Sequence, residues 1–121
     1  MNIHESAEDY LEAILMLRQE KGYARSVDIA ARLNVSKPSV SFAMKRLREN
    51  GYILMDEENL ISLTPLGADI AARMLDRHRA IASFLERLGV DEATALEDAC
   101  KIEHDISDAS FEAIRRFLKK Q

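Results

Sequence analysis

The chain has 121 residues, 47% hydrophobic and 31% charged, with net charge −4, 4 Gly, 2 Pro and a single Cys. That is a folded globular composition for one domain, or two small ones sharing a core, and it leaves little room for linkers or disorder. The longest wholly apolar run, Ala13 to Leu17, is too short for a membrane span, and the acidic, helix-like start shows no signal peptide. A cytoplasmic location is expected, where the lone cysteine cannot form an internal disulfide and stays available as a thiolate ligand.

In chain order, Ser6 to Glu20 is predicted helical, with Ala7, Leu11, Ile14 and Leu15 at amphipathic spacing and Asp9, Glu12 and Met16 on a stripe turned away from Leu11. Lys21-Gly22-Tyr23 ends it, Gly22 serving as C-cap. Ser26 to Leu33 is a short second helix, whose apolar side is expected from Val27, Ile29, Ala30 and Leu33. Asn34-Val35 makes the turn. Ser36 then caps a third helix, with Pro38 in the first turn where its missing N–H costs nothing, and Asn50-Gly51 stops it. Tyr52 to Met55 and Leu60 to Leu63 read as strands around the turn Asp56 to Asn59. A long helix runs from Thr64-Pro65 to Leu88, stopped by Gly89. Another, capped by Asp91, reaches about Glu103, and a last one spans Ser107 to Lys119. In that last helix Phe111, Ile114, Phe117 and Leu118 suit either a dimer surface or an intrachain core.

Helix, turn, capped helix and hairpin is the order of a winged helix-turn-helix. Val40, Ala43, Met44 and Leu47 recur at i, i+3, i+4, i+7 and would pack inward. Lys37, Ser39, Ser41, Phe42, Lys45 and Arg46 are left outside. Phe42 lies about 200° round from Val40 and so points away from the core. An outward Phe needs a partner, and thymine methyl groups are one; a protein interface is the bland alternative. Arg25, Lys37, Lys45 and Arg48 suit phosphates, and Ser36, Pro38, Ser39 and Ser41 stand at the helix start that would face DNA. The charge pattern agrees. From Tyr23 to Asn50 six basic residues face only Asp28 and Glu49, a net +4, which leaves −8 for the remainder. The hairpin tip, Asp56-Glu57-Glu58, is acidic and is expected to contribute little to DNA contact.

Cys100, Glu103 and His104 stand at i, i+3, i+4, so a thiolate, a carboxylate and an imidazole can converge on one ion. Asp9 and Glu12 form a similar pair on the first helix, and His78, midway along the long helix, is a sixth candidate. Each alone has an ordinary reading: a buried small thiol, a surface pair, a solvated acidic face, a structural histidine. His4 reads as a surface histidine.

Together these residues make the chain resemble the diphtheria-toxin-repressor and manganese-transport-regulator family of metal-dependent repressors. The most specific pieces are Ser6-Ala7-Glu8-Asp9-Tyr10-Leu11-Glu12, Glu20-Lys21-Gly22-Tyr23-Ala24-Arg25, Leu63-Thr64-Pro65-Leu66-Gly67, Arg77-His78-Arg79 and Cys100-Lys101-Ile102-Glu103-His104. The resemblance implies a mainly α fold. Residues 1–72 would form a winged helix-turn-helix DNA-binding domain and residues 73–121 a helical metal-binding and dimerisation domain. It implies the two-domain form, without the SH3-like third domain of longer members. Asp9, Glu12, His78, Glu103 and His104 match the manganese branch. Position 100 carries the cysteine of the iron branch, which in turn tends to have methionine where Asp9 stands. The second site of the iron branch expects acidic or histidine residues where this chain has Ala82 and Leu96, so it is not expected here in that form. Mn²⁺ or Fe²⁺ is the implied cofactor; the thiolate also allows Zn²⁺ in vitro.

The expected function is a repressor of metal-uptake genes that binds a palindromic double-stranded operator as a homodimer when metal-loaded, with no small-molecule substrate and no catalysis. If the acidic ligands converge, they repel one another until a cation joins them. Asp9 and Glu12 lie on the helix bracing the reading unit, which would couple metal to DNA by about 1–3 kcal/mol. The alternatives are a metal-independent winged-helix regulator and a metal hydrolase, the latter disfavoured because no Gly-rich or open loop is present to hold a substrate.

Overall fold

The computed structural model describes residues 5–120; His4 lies outside them. The order of elements is α1 (Glu5–Lys21), α2 (Ser26–Leu33), α3 (Lys37–Glu49), β1 (Ile53–Met55), β2 (Ile61–Leu63), α4 (Pro65–Arg87), α5 (Glu92–Asp105) and α6 (Asp108–Lys120). The chain divides into two compact units, Met1–Ala72 and Arg73–Gln121.

In the first unit α1 packs on α2, α3 and β2, and α2 on α3. Leu11 and Ile14 of α1, Ile29 of α2, Val40 and Met44 of α3, Ile53 and Ile61 are its buried centre. Removing each such side chain from water contributes about 1.5–3 kcal/mol. Val27 departs from the sequence expectation: it is 56% exposed, because two residues of helix turn it about 200° from buried Ile29. Asn34 closes α2 in the left-handed region, φ 54°, which asparagine tolerates, and its N–H and that of Val35 both return to the Ala30 carbonyl. The Ser36 hydroxyl accepts the Ser39 N–H at 3.2 Å, and Pro38 occupies the first turn of α3.

β1 and β2 are antiparallel, with Ile53 opposite Leu63 and Met55 opposite Ile61. Both strands are one residue shorter at the start than expected. The Tyr52 N–H goes back to the Leu47 carbonyl (2.9 Å), and the Leu60 N–H goes to the Asp56 carboxylate (2.9 Å). The same Asp56 oxygen accepts the Glu58 N–H, so part of the acidic tip is spent on closing the turn. The hairpin is fixed to the body by Ile61 N–H to the Ala24 carbonyl (2.8 Å) and by the Arg18 guanidinium to the Ile61 carbonyl (3.0 Å).

Thr64 starts α4. Its hydroxyl donates to the Gly51 carbonyl (2.6 Å) and accepts the Gly67 N–H (3.2 Å). Gly67 is required by proximity: a Cβ there would stand 2.0 Å from the Tyr52 carbonyl oxygen. At its other end α4 stops where Gly89 takes φ +104°.

The core of the second unit is small: Ile81 and Ala82 of α4, Ala99 of α5 and Phe111 of α6. Phe111 is therefore intrachain core and drops out of the dimer-surface candidates, whereas Phe117 stays 42% exposed while its ring meets Phe84 edge-on at 5.6 Å. Ion pairing of Arg115 with Asp76 joins α6 to α4 and raises the Arg115 pKa further above its ordinary value. Asp91 caps α5, accepting the Thr94 N–H at 3.0 Å, which lowers the Asp91 pKa below the ordinary carboxylate value. No helix among the described residues is long and apolar enough to cross a membrane.

Candidate metal centre and nucleic-acid interface

The second unit brings four of the predicted ligands together. His78 stands on α4, and Cys100, Glu103 and His104 share one face of α5. Helix α5 continues two residues past the expected end, which keeps Glu103 and His104 in regular geometry. One donor atom each from His78, Cys100 and Glu103 lie within 4.8 Å of one another. One Glu103 oxygen is 3.5 Å from His78 Nδ1 and the other is 3.5 Å from His104 Nε2. Cys100 is exposed, so the thiol stands at the solvent side of the cluster.

Glu103 decides how this cluster is read. It is 0% exposed, and neither carboxylate oxygen accepts a hydrogen bond among the described residues. Burying a carboxylate costs several kcal/mol unless it is paired and hydrogen-bonded. The surrounding donors are oxygen, nitrogen and sulfur, the set that suits a divalent transition metal. These residues therefore fit a bound cation.

In the first unit Asp9 and Glu12 lie one turn apart on α1, Asp9 half-buried and Glu12 only 6% exposed. Burial of Glu12 is not what a solvated acidic face would show.

The exposed side of α3 carries Lys37, Pro38, Ser39, Ser41, Phe42, Lys45, Arg46 and Arg48, while Val40, Met44 and Leu47 are buried beneath. Phe42 is 54% exposed, as its spacing predicts. The Arg46 guanidinium lies 5.7 Å from the centre of its ring. Arg46 has no assigned contact from sequence alone; the i, i+4 pairing with Phe42 was the available signal. An open groove of about 530 Å³ runs along this edge, lined by Ser6 and Tyr10 of α1 and by Pro38, Ser39, Phe42 and Arg46 of α3. Arg25, at the N-cap of α2, is exposed with its guanidinium 5.7 Å from the Tyr23 ring centre. Arg48 reaches the Met55 sulfur of β1 (4.0 Å). Ser36 is committed to capping α3, so a DNA contact from it would come second to that bond.

Residues 2–58 match the model of the iron dependent repressor N-terminal DNA binding domain, and residues 64–121 match its metal binding and dimerisation domain. The chain belongs to the iron-dependent repressor family. Family members are transcriptional regulators, with a DNA-binding domain followed by a metal-binding and dimerisation domain. The chain is 38% identical over 118 residues to an uncharacterised HTH-type transcriptional regulator of Methanocaldococcus jannaschii, covering 96% of this chain and 94% of that one. To the transcriptional regulator MntR of Escherichia coli O157:H7 it is 40% identical over 116 residues, covering 96% and 75%. Among solved structures it is similar to T. acidophilum IdeR, with TM-score 0.83 and 33% identity, covering 97% of this chain and 55% of that one. It is also similar to a manganese-dependent transcriptional repressor in complex with manganese, with TM-score 0.85 and 29% identity, covering 93% and 52%. The chain thus spans about half the length of these solved relatives.

Proposed function

We propose that this chain is a metal-activated transcriptional repressor that binds a palindromic operator as a homodimer, and that Asp9, Glu12, His78, Cys100, Glu103 and His104 are its metal ligands. The observation that carries the reading is the buried Glu103 carboxylate, flanked by two imidazoles and a thiol. A bound divalent cation would supply the positive charge that offsets its carboxylate ligands and would favour Cys100 as thiolate. Asp9 and Glu12 belong to α1, which also packs on both helices of the reading motif. Holding those two carboxylates therefore holds α2 and α3. A coupling of about 1–3 kcal/mol per subunit, counted twice in a dimer, is enough for a switch, and linkage requires DNA to tighten metal binding equally.

The donor set leaves Mn²⁺ and Fe²⁺ as the physiological candidates, with Zn²⁺ bound in vitro through the thiolate. Manganese-uptake or iron-uptake genes follow as targets from the family. Lys37, Lys45 and Arg48 hold phosphates, Arg25 adds a contact from α2, and Ser36, Pro38, Ser39, Ser41 and Phe42 line the base-facing part of α3. The site of action is the cytoplasm, and no catalysis is assigned. The test is anaerobic selection from a random duplex pool with Mn²⁺, Fe²⁺, Zn²⁺ or chelator. A palindromic consensus with half-sites about one or two helical turns apart should emerge only with metal. Equal enrichment in chelator would reject the reading.

A further inference from the structure

Among the described residues one buried charged side chain lies outside the proposed ligand set. Arg77 of α4 is 8% exposed and immediately precedes His78. Its Nη1 donates to the Glu103 carbonyl (3.1 Å) and to the Ile106 carbonyl (2.9 Å), while Nη2 pairs with the Asp108 carboxylate. Its guanidinium also lies 5.1 Å from the centre of the Phe111 ring. Three bonds thus tie one side chain to the end of α5, the connection after it and the first turn of α6.

We infer that Arg77 is a positioning residue for the metal site, clamping the last turn of α5 so that Glu103 and His104 face His78. This rests on the metal reading above. The carbonyl of Glu103 is among the last four of α5 and has no helical partner of its own, so it is free to take an outside donor. By binding that carbonyl, Arg77 fixes the backbone of Glu103, and His78, the next residue along, faces the same residue's carboxylate at 3.5 Å. Backbone and side chain of one ligand are therefore addressed by two consecutive residues of α4. A planar fork with several fixed donors can serve three acceptors at once; an ammonium cannot reach them with the same geometry. Phe111, a core residue, limits where the fork can go. Groups that orient metal ligands in this way typically alter affinity 10–100-fold when replaced.

The test is anaerobic titration of Co²⁺ into the full chain, followed by its d–d bands and the thiolate-to-cobalt charge-transfer band, with far-UV circular dichroism of each apo protein. Arg77→Lys should keep its helical signal at the titration temperature, bind Co²⁺ 10–100-fold more weakly and show altered d–d bands. A purely structural arginine would lower the melting temperature and leave the affinity and spectrum of the folded protein unchanged; that outcome overturns the inference. Should Arg77→Lys not fold, Asp108→Ala decides. Asp108 is 92% exposed, so its removal frees one side of the fork while sparing the core. A three- to ten-fold loss of Co²⁺ affinity is expected, and unchanged affinity overturns the inference. Failure of the unaltered chain to bind Co²⁺ would instead overturn the metal reading itself.

Discussion

Along α3 the guanidinium of Arg46 sits over the ring of Phe42, one helical turn away, and both side chains are exposed. An exposed cation–π contact contributes only about 0.5–1 kcal/mol, too little to matter for folding. It does hold a planar donor fork in place beside an apolar ring on the helix proposed to face DNA. Phe42→Ala should therefore cost about 1–3 kcal/mol at one operator position, the usual size of one mismatched base pair, through loss of the proposed thymine methyl contact, and loosen Arg46 as well. Arg46→Lys should relax the same neighbourhood while retaining the charge. Lys45→Ala should weaken all sequences alike and lower the slope of log K against log salt by about 0.9, the signature of one lost phosphate contact. Binding assays on operator variants across salt concentrations separate these effects. An Arg46→Lys protein with unaltered base preference would reduce Arg46 to a phosphate contact.

Glu103 offers a test in which stability and binding move in opposite directions. Glu103→Gln keeps the volume and removes a buried charge whose oxygens accept no hydrogen bond among the described residues. In chelator, urea unfolding should show the variant about 1–3 kcal/mol more stable than the parent. With Mn²⁺ or Fe²⁺ the order should reverse, because only the parent gains stability from ligand binding to the native state. A variant less stable than the parent in chelator would mean that the neighbouring imidazoles already compensate the carboxylate.

Much of this was legible in the sequence. The capped ends of α2, α3 and α5 were readable because Asn34, Ser36, Pro38 and Asp91 act locally, within a few residues of the backbone they satisfy. The i, i+3, i+4 spacing of Cys100, Glu103 and His104 needed only one regular helix. What escaped depends on neighbours distant in sequence. Arg77 falls on the stripe of Ile70, Met74 and Ile81, where an apolar residue is expected, and its partners lie 26 to 31 positions onward. Phe111 and Phe117 look equivalent by periodicity, yet only the first meets Ala82 and Ala99. Glycine at 67 is explained by a carbonyl fifteen residues earlier rather than by its own helix.

Gly67→Ala should be among the most damaging single-methyl changes in the first unit. The new Cβ would meet the Tyr52 carbonyl oxygen at 2.0 Å, a backbone atom that cannot swing aside as a side chain would. Tyr52 is held on both sides, by its own N–H to Leu47 and by its carbonyl to the Thr64 N–H. Either the hairpin or the start of α4 must shift, costing about 3 kcal/mol. Thermal unfolding monitored by circular dichroism checks this; a melting temperature equal to the parent's would show that the two elements separate without strain.

Asp91 gives a pH dependence with a defined sign. Its carboxylate accepts the Thr94 N–H at the start of α5, the helix that carries three proposed ligands, and its pKa is lowered in the folded protein. A group with a depressed folded pKa contributes stability above its unfolded pKa, and that contribution is lost as pH falls through the folded value. The cap should therefore be fully effective at neutral pH and fade only in acid, below the ordinary aspartate range. Asp91→Asn keeps a capping oxygen but cannot titrate, so the acid-side loss of stability should be shallower than in the parent. Asp91→Ala should be weaker at neutral pH and converge with the parent in acid. Parallel unfolding curves for parent and Asp91→Asn from neutral to strongly acidic pH would show that this cap has no part in the acid response.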